Sequence, residues 1–190
     1  YVYYALLMIT LYEVNADKKA LEKSIKIMND TWELFFNKET QLFQKNIIKD
    51  NDLFASPLDL NDSNIPNGNS VYLLISNKLY SITNDKIWSE RNEVLKKSFH
   101  QVLNSYYSQM FSFIKTLDIC DNSLSFTFSG TSQSIREMQL FLQKEYLGIA
   151  TFVYQLNNDT KPSVIICKNQ TCSNKLTSIS EAVEYLSKSD

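Results

Sequence analysis

The sequence has few glycines, prolines and histidines, and these shortages exclude several classes of site. Only three glycines and three prolines occur among 190 residues. The turn Ser129-Gly130-Thr131 therefore lacks the further glycines of a dinucleotide-binding fingerprint. His100 is the only histidine, which excludes a histidine-rich metal site, and no nucleophile motif accompanies it for a catalytic triad. We expect a surface or interface histidine, no metal site and no cofactor.

Cysteines are also few, and their arrangement argues against a disulfide framework. Three cysteines, an odd number at irregular spacing, do not resemble the pattern of a small secreted domain. Cys167 and Cys172 are separated by four residues, a spacing that suits neither a redox C-x-x-C pair nor a standard structural zinc site. We therefore expect free thiols, a reducing compartment and a cytoplasmic protein.

Neither a charge excess nor a long apolar run is present. The net charge is -2, and the 19 basic residues are spread along the chain, so we expect neither nucleic acid nor a membrane as partner. The longest apolar stretches, such as 1–10 and 71–75, are shorter than the ~20 residues that span a bilayer. The 44% of apolar side chains are enough for a packed core in one large or two small domains.

Helical periodicity dominates the first 120 residues. Apolar residues recur every three or four positions after Asn15-Ala16-Asp17, which predicts an amphipathic helix: Leu21, Ile25, Met28, Trp32 and Phe35. We expect 1–14 and 17–36 to form an antiparallel helical hairpin. A second hairpin is predicted from a helix at 69–82 and, after the turn at 83–85, helical spacing that continues to Leu117.

Two parts of the chain lack this helical pattern. One is the connection between the two hairpins, and the other is the C-terminal segment from residue 121. Residues 37–68 are polar and irregular, with a predicted ribbon at Leu42-Phe43 and Ile47-Ile48. From residue 121 we predict strands and helices in alternation: a strand at 124–128, a helix at 132–146, strands at 149–156 and 163–167, and a helix at 180–186. The predicted class is mainly α, with helical hairpins in 1–120 and a small α/β tail in 121–190, whose strand–helix–strand unit is right-handed if the strands are parallel.

The chain opens on the apolar run Tyr1-Val2-Tyr3-Tyr4-Ala5-Leu6-Leu7 without an initiator Met or an N-cap. This opening predicts that the sequence begins inside a helix of a larger protein. Two hairpins alone cannot bury the faces that neighbouring hairpins would cover, so we also expect the fragment to associate with itself.

Three segments carry a family resemblance. They are the stretch 56–71, which reads SPLDLNDSNIPNGNSV, the stretch 167–172, which reads CKNQTC, and the stretch 11–17, which reads LYEVNAD. In order and spacing they resemble the thioredoxin-domain-containing family of spermatogenesis-associated thioredoxin-like proteins. The resemblance implies the C-terminal part of a six-hairpin α/α toroid, similar to that of N-acylglucosamine 2-epimerases and six-hairpin glycosidases. It also implies that the missing hairpins and a thioredoxin-like domain are partners within the same protein.

The sequence departs from the family at the expected mouth of the toroid. The stretch 39–45 keeps an aromatic residue without the family's glycines and acid, and Ser56 and Leu58 replace its usual basic residues. These changes predict a diverged member with altered or lost activity.

One loop is the strongest candidate site: Asp62, Asn67, Gly68, Asn69 and Ser70. Pro66 and Gly68 predict a tight turn, and Asn69 or Ser70 can cap the following helix. On the first interpretation these residues only start that helix, and Asn69→Asp is then nearly neutral. On the second, the loop lines a pocket at the toroid mouth, where free helix N–H groups, Asp62 and the Asn69 amide bind a small polar or sugar ligand. Asn69→Asp then folds normally but loses binding, because the two donors of the amide are replaced by a carboxylate that only accepts. Asp59 and Asp62 are also a candidate carboxylate pair.

Three functional hypotheses follow from the resemblance. The first is a C-terminal toroid segment of unestablished activity that contributes part of a polar, carbohydrate-like pocket. The second is an enzyme of the sugar epimerase or isomerase type, whose acid and base residues would be mostly on the missing hairpins. The third is a non-catalytic scaffold with a vestigial pocket.

Overall fold

A computed structural model describes residues 1–47, 57–146, 148–168 and 171–188, with the side chains of 104–106 excepted. The chain divides into two compact units, Tyr1–Cys120 and Asp121–Asp190. The described residues are 60% helical, with seven α-helices and a small mixed sheet. The predicted class, mainly α with a small α/β part, is therefore confirmed at this level.

The first hairpin of unit 1 consists of α1 (Val2–Asn15) and α2 (Lys18–Phe35). Ala16 adopts the left-handed conformation that ends α1, with φ of 55°. Asp17 then caps α2 by accepting hydrogen bonds from the backbone N–H groups of Lys19 and Ala20. The chain reverses within these two residues, so α1 and α2 pack side by side along the predicted hairpin.

The second hairpin consists of α3 (Gly68–Thr83) and α4 (Lys86–Tyr106), and Asp85 caps α4. The prediction that helical spacing continues without a break to Leu117 is wrong, because the helix ends at Tyr106. A 3₁₀ turn at Tyr107–Gln109 and the buried Met110 separate α4 from α5 (Phe111–Asn122). The cause lies in a distant loop, whose Asp62 N–H donates to the carbonyl of Gln109 at 2.7 Å.

A short ribbon lies between the two hairpins. Strand β1 (Phe36–Asn37) pairs antiparallel with β2 (Leu42–Phe43). Leu42-Phe43 therefore forms a strand of a ribbon, as predicted, but the strand that pairs with it is Phe36–Asn37, which was not predicted. Ile48 and Ser56 lie outside the described residues. Beyond β2, Lys45 N–H donates to the Pro57 carbonyl, and Asp59 N–H donates to that of Phe43, which fixes 57–59 beside the ribbon.

Unit 2 contains a four-stranded sheet with strand order β4-β3-β5-β6. Its elements are β3 (Leu124–Gly130), α6 (Ser132–Glu145), β4 (Ala150–Leu156), β5 (Ser163–Lys168), β6 (Thr171–Cys172) and α7 (Ile179–Ser187). Strands β3 and β4 are parallel, with α6 between them along the chain, while β5 is antiparallel to β3. Apolar side chains of β3, β5 and α6 form its core, including Phe126, Phe128, Val164, Ile166 and Leu142.

The expectation of free thiols at Cys167 and Cys172 is wrong. The two cysteines lie opposite each other in the antiparallel pair β5–β6 and form a disulfide. The spacing argument failed because it took no account of strand register, and the antiparallel pairing of β5 with β6 places these two positions opposite each other. Cys120, in unit 1, is not part of this disulfide. Within the parts of the chain described, no helix is long and apolar enough to cross a membrane.

Candidate functional site

The start of α3 is built from Asn67 rather than from Asn69 or Ser70. The Asn67 side-chain oxygen accepts hydrogen bonds from the Ser70 N–H and from the Ser70 hydroxyl, both at 2.9 Å. Asn67 is thus the N-cap, and Ser70 is the third helical residue. The predicted cap was displaced by two or three residues because Gly68 and Asn69 belong to the first turn of the helix.

Asn69 has a different role, because its side chain is fully buried and bonded to the ribbon. Its Oδ1 accepts from the N–H of Phe43 at 2.8 Å, and its Nδ2 donates to the carbonyls of Phe43 and Asp59 at 3.2 and 2.7 Å. The amide thus completes the backbone hydrogen bonding of β2 as a neighbouring strand would. These bonds occupy the groups that the pocket interpretation assigned to a ligand.

Asp62 connects the loop to the start of α5. One oxygen accepts from Asn67 N–H and Asn67 Nδ2, both at 2.9 Å, and from the Ser112 hydroxyl, while the other accepts from Ser112 N–H at 2.6 Å. Burial acts to raise the pKa of Asp62, but the hydrogen bonds from Ser112 and Asn67 outweigh it and hold the pKa below the ordinary value. Asp62 therefore serves as a cap for α5 supplied from a distant part of the chain.

Gly68 lies in close contact with Asp59. The Gly68 N–H donates to Asp59 Oδ2 at 2.6 Å, and a Cβ at this position would lie 2.4 Å from the same oxygen, so the Asp59 side chain would have to move. Among the described residues, the glycine with positive φ is Gly130. A substitution at Gly68 would therefore meet the Asp59 carboxylate rather than a strained backbone.

A cavity of about 240 Å³ lies beside this loop in unit 1. Its lining combines apolar and aromatic side chains with a few polar groups: Tyr1, Val2, Thr31, Phe35, Phe43, Gln44, Lys45, Asp59 and Gly68. Of the five candidate loop residues, only Gly68 lines this cavity, and Asp59 of the candidate carboxylate pair lines it too. Asp62, Asn67, Asn69 and Ser70 hold the surrounding backbone in place instead.

Asp59 is the polar group most firmly positioned at the cavity. Its backbone N–H bonds to β2 and its Oδ2 accepts from Gly68, so the carboxylate is held at the wall between ribbon and helix. The two candidate carboxylates accept from different partners, Asp59 from Gly68 and Asp62 from Asn67 and Ser112. Both charges nevertheless act on Tyr3, whose pKa is raised first by burial and then by Asp59 and Asp62.

Sequence reasoning missed most of the cavity. Phe35 was assigned to an amphipathic helix by its spacing. Gln44 and Lys45 lay in the stretch 39–45, which the resemblance placed at the toroid mouth but to which no site was assigned. The pairing of 43–45 with 57–59 brings them together, and no local pattern announces that pairing. His100 is exposed on α4, as predicted for a surface histidine, and it does not line this cavity.

Comparison with known proteins does not assign this chain to a family. No protein-family model matches the sequence, and no curated protein matches it significantly. The resemblance to the thioredoxin-domain-containing family therefore rests on the quoted residues. Within the described residues, no group of three or more His, Cys, Asp or Glu side chains could hold a metal ion.

The bonds of Asp62 predict a pH-dependent contribution to stability. In Asp62→Asn an amide NH₂ would face N–H and O–H donors, so we expect a loss of about 1–3 kcal/mol in the free energy of unfolding at pH 7. Because the folded-state pKa is lowered from 3.8, the wild-type advantage is complete above about pH 4 and disappears as the pH falls through the folded pKa.

Urea unfolding of both proteins between pH 7 and pH 2.5 measures this difference. The control is Glu39→Gln, which removes an exposed carboxylate and should change stability by less than about 0.5 kcal/mol. A difference between wild type and Asp62→Asn that stays constant over this pH range would contradict the role assigned to Asp62.

Proposed function

We propose that this chain is the C-terminal part of an α/α-toroid protein of the thioredoxin-domain-containing family and that its cavity binds one small neutral polyol or sugar. The observation that carries the binding proposal is the Asp59 carboxylate, fixed by Gly68 at the wall of a cavity that Phe35 and Phe43 also line. A carboxylate accepts hydrogen bonds from sugar hydroxyls, and aromatic faces pack against the apolar faces of sugar rings.

The size of the cavity limits the ligand class. Its volume of about 240 Å³ is below the range of about 300–1,000 Å³ that is usual for drug-sized ligands. This favours a monosaccharide or smaller polyol over an oligosaccharide. Gln44 supplies an amide with both donors and acceptors at the same wall, which suits a ligand whose hydroxyls do both.

The arrangement of the hairpins supports the toroid part of the proposal. Helix α1 packs against both α2 and α3, and a stripe of its apolar side chains is still exposed: Tyr4, Leu7, Leu11 and Val14. These residues recur every three or four positions and form one helical face. We propose that a hairpin elsewhere in the same protein covers this face, with self-association of the fragment as the alternative.

We favour binding over catalysis for this part of the protein. An epimerase requires an acid and a base on the two sides of the reacting carbon, and Asp59 is the carboxylate among the residues that line this cavity. A catalytic role would therefore need a second acid–base group placed opposite Asp59 across the ligand. A scaffold with a vestigial pocket corresponds to the outcome in which no sugar binds.

The test is a calorimetric screen of neutral monosaccharides and polyols with this chain and with the full-length protein. Asp59→Asn should keep the fold, because the amide oxygen can still accept from Gly68, but it removes a charged acceptor from the cavity. A hydrogen bond to a charged group is worth about 1.5–3 kcal/mol, so affinity should fall at least tenfold.

The matched control is Asp30→Asn, because the Asp30 carboxylate pairs with Lys26 and does not line the cavity. This variant should bind as the wild type does. The proposal is wrong if no neutral sugar binds at tens of millimolar, or if Asp59→Asn binds as tightly as the wild type.

A further inference from the structure

The Cys167–Cys172 disulfide occupies the outer end of the β5–β6 hairpin in unit 2. The two residues are directly opposite in the antiparallel register, and β6 is the edge strand of the four-stranded sheet. Cys172 is exposed and Cys167 is half-buried. Solvent and dissolved reagents can therefore reach the disulfide without the sheet opening, as access for thiol–disulfide exchange requires.

Hydrogen bonds also hold this part of the chain together, at positions nearer to the core than the disulfide. Ser173 N–H donates to the carbonyl of Ile166 at 2.8 Å, and Ile166 N–H donates to the Ser173 hydroxyl at 3.0 Å. Further along, Val164 and Leu176 exchange two backbone hydrogen bonds of 2.9 Å each. These bonds fix the return of the chain towards α7 whether or not the sulfurs are joined.

The disulfide also adds little restriction to the unfolded chain. The two cysteines are five positions apart in sequence, and the stabilisation by a disulfide increases with the length of the loop that it closes. Buried structural disulfides usually join distant segments, whereas this one joins neighbours that the hairpin already places together. Its position suits chemical exchange better than it suits stabilisation.

We propose that Cys167 and Cys172 form a reversible thiol–disulfide exchange site that accepts two electrons from a dithiol. A thiolate of the dithiol attacks the more exposed sulfur of Cys172, which forms a mixed disulfide and releases the Cys167 thiolate. The second thiol of the dithiol then attacks the sulfur that the dithiol contributed to the mixed disulfide. This step forms the disulfide of the reagent and releases the Cys172 thiolate. The protein gains two thiols after protonation, and the dithiol becomes a disulfide.

The experiment measures this exchange in the folded chain. The protein is incubated with reduced and oxidised dithiothreitol in different ratios, quenched with N-ethylmaleimide, and analysed by mass spectrometry of the peptide containing both cysteines. We expect a reversible two-electron titration and a native reduction rate within about tenfold of the rate in denaturant. The helical circular dichroism should be unchanged, and the melting temperature should fall by no more than about 10 °C. A second arm replaces dithiothreitol with a small protein that carries a reduced Cys-x-x-Cys pair, to distinguish a small dithiol from a protein one.

Three controls fix the interpretation. Cys120, which is half-buried and not part of the Cys167–Cys172 disulfide, lies on a different peptide, and its labelling should not follow the redox ratio. Cys167→Ser and Cys172→Ser cannot form the internal disulfide and should show no such titration. The proposal is overturned if both thiols stay labelled in oxidising buffer, or if reduction is a thousandfold slower in the folded chain than in denaturant, or if reduction unfolds the protein.

Discussion

Asn69→Asp is expected to destabilise the protein by about 3–5 kcal/mol, a large part of the total stability of a typical domain. The asparagine is fully buried, and its NH₂ group donates to the carbonyls of Phe43 and Asp59. A carboxylate would bring negative charge against those two carbonyl oxygens and would provide no donor. Urea or thermal unfolding monitored by circular dichroism measures the loss.

Two comparisons separate this mechanism from a general effect of added charge. Asn64→Asp makes the same substitution at an exposed position of the preceding loop and should be neutral within about 0.5 kcal/mol. Lowering the pH should reduce the penalty of Asn69→Asp, because burial raises the pKa of the introduced carboxyl and its neutral form can donate one hydrogen bond. A nearly neutral Asn69→Asp variant would restore the capping interpretation of this residue.

Breaking the ion pair between α1 and α3 should have an effect of similar size. Lys78 Nζ lies 2.7 Å from Glu13 Oε1, and both side chains are only 10% exposed. In Lys78→Met the buried carboxylate of Glu13 loses this cation, and removal of one partner of a buried pair typically costs about 3–5 kcal/mol. The measurement is the free energy of unfolding of Lys78→Met, of Glu13→Leu and of the double variant.

The double variant is the decisive comparison. It removes both charges together, so we expect it to recover at least half of the loss in the more damaged single variant. Lys26→Met is the matched control at the exposed Lys26–Asp30 pair, whose side chains are 77% and 42% exposed, and it should cost less than about 0.5 kcal/mol. Strictly additive single losses would show that the two charges do not stabilise each other.

Some elements could be predicted from the sequence because their determinants are local. Helix α2 follows from the spacing of Leu21, Ile25 and Met28, and its start follows from Asp17, which bonds to N–H groups two and three residues away. The alternating strand β3 and the start of α6 at Ser132 were predicted for the same reason. All of these interactions lie within one or two turns of the chain, where periodicity and residue type carry the information.

In the candidate loop, the start of the helix could be predicted, but the partners of its side chains could not. The sequence correctly selected Asn67 to Ser70 as the start of a helix, because a capping residue and a glycine precede an apolar run. It could not assign Asn69, whose partner Phe43 lies 26 positions earlier. It also could not place Lys45 and Asp59 at one cavity, because their proximity results from pairing between two irregular segments.

The sequence by itself determined the helical hairpins, the alternation of strands and helices in the tail, and the turn before α3, all through contacts between near neighbours. Only the tertiary structure decided where α4 ends and α5 begins, because the loop residue Asp62 bonds to the Gln109 carbonyl between the two helices and to Ser112 in the first turn of α5. It likewise decided that Cys167 and Cys172 are joined, since strand register and not spacing sets the distance between two sulfurs. Most buried polar groups have a hydrogen-bonding partner, and that partner can lie anywhere along the chain.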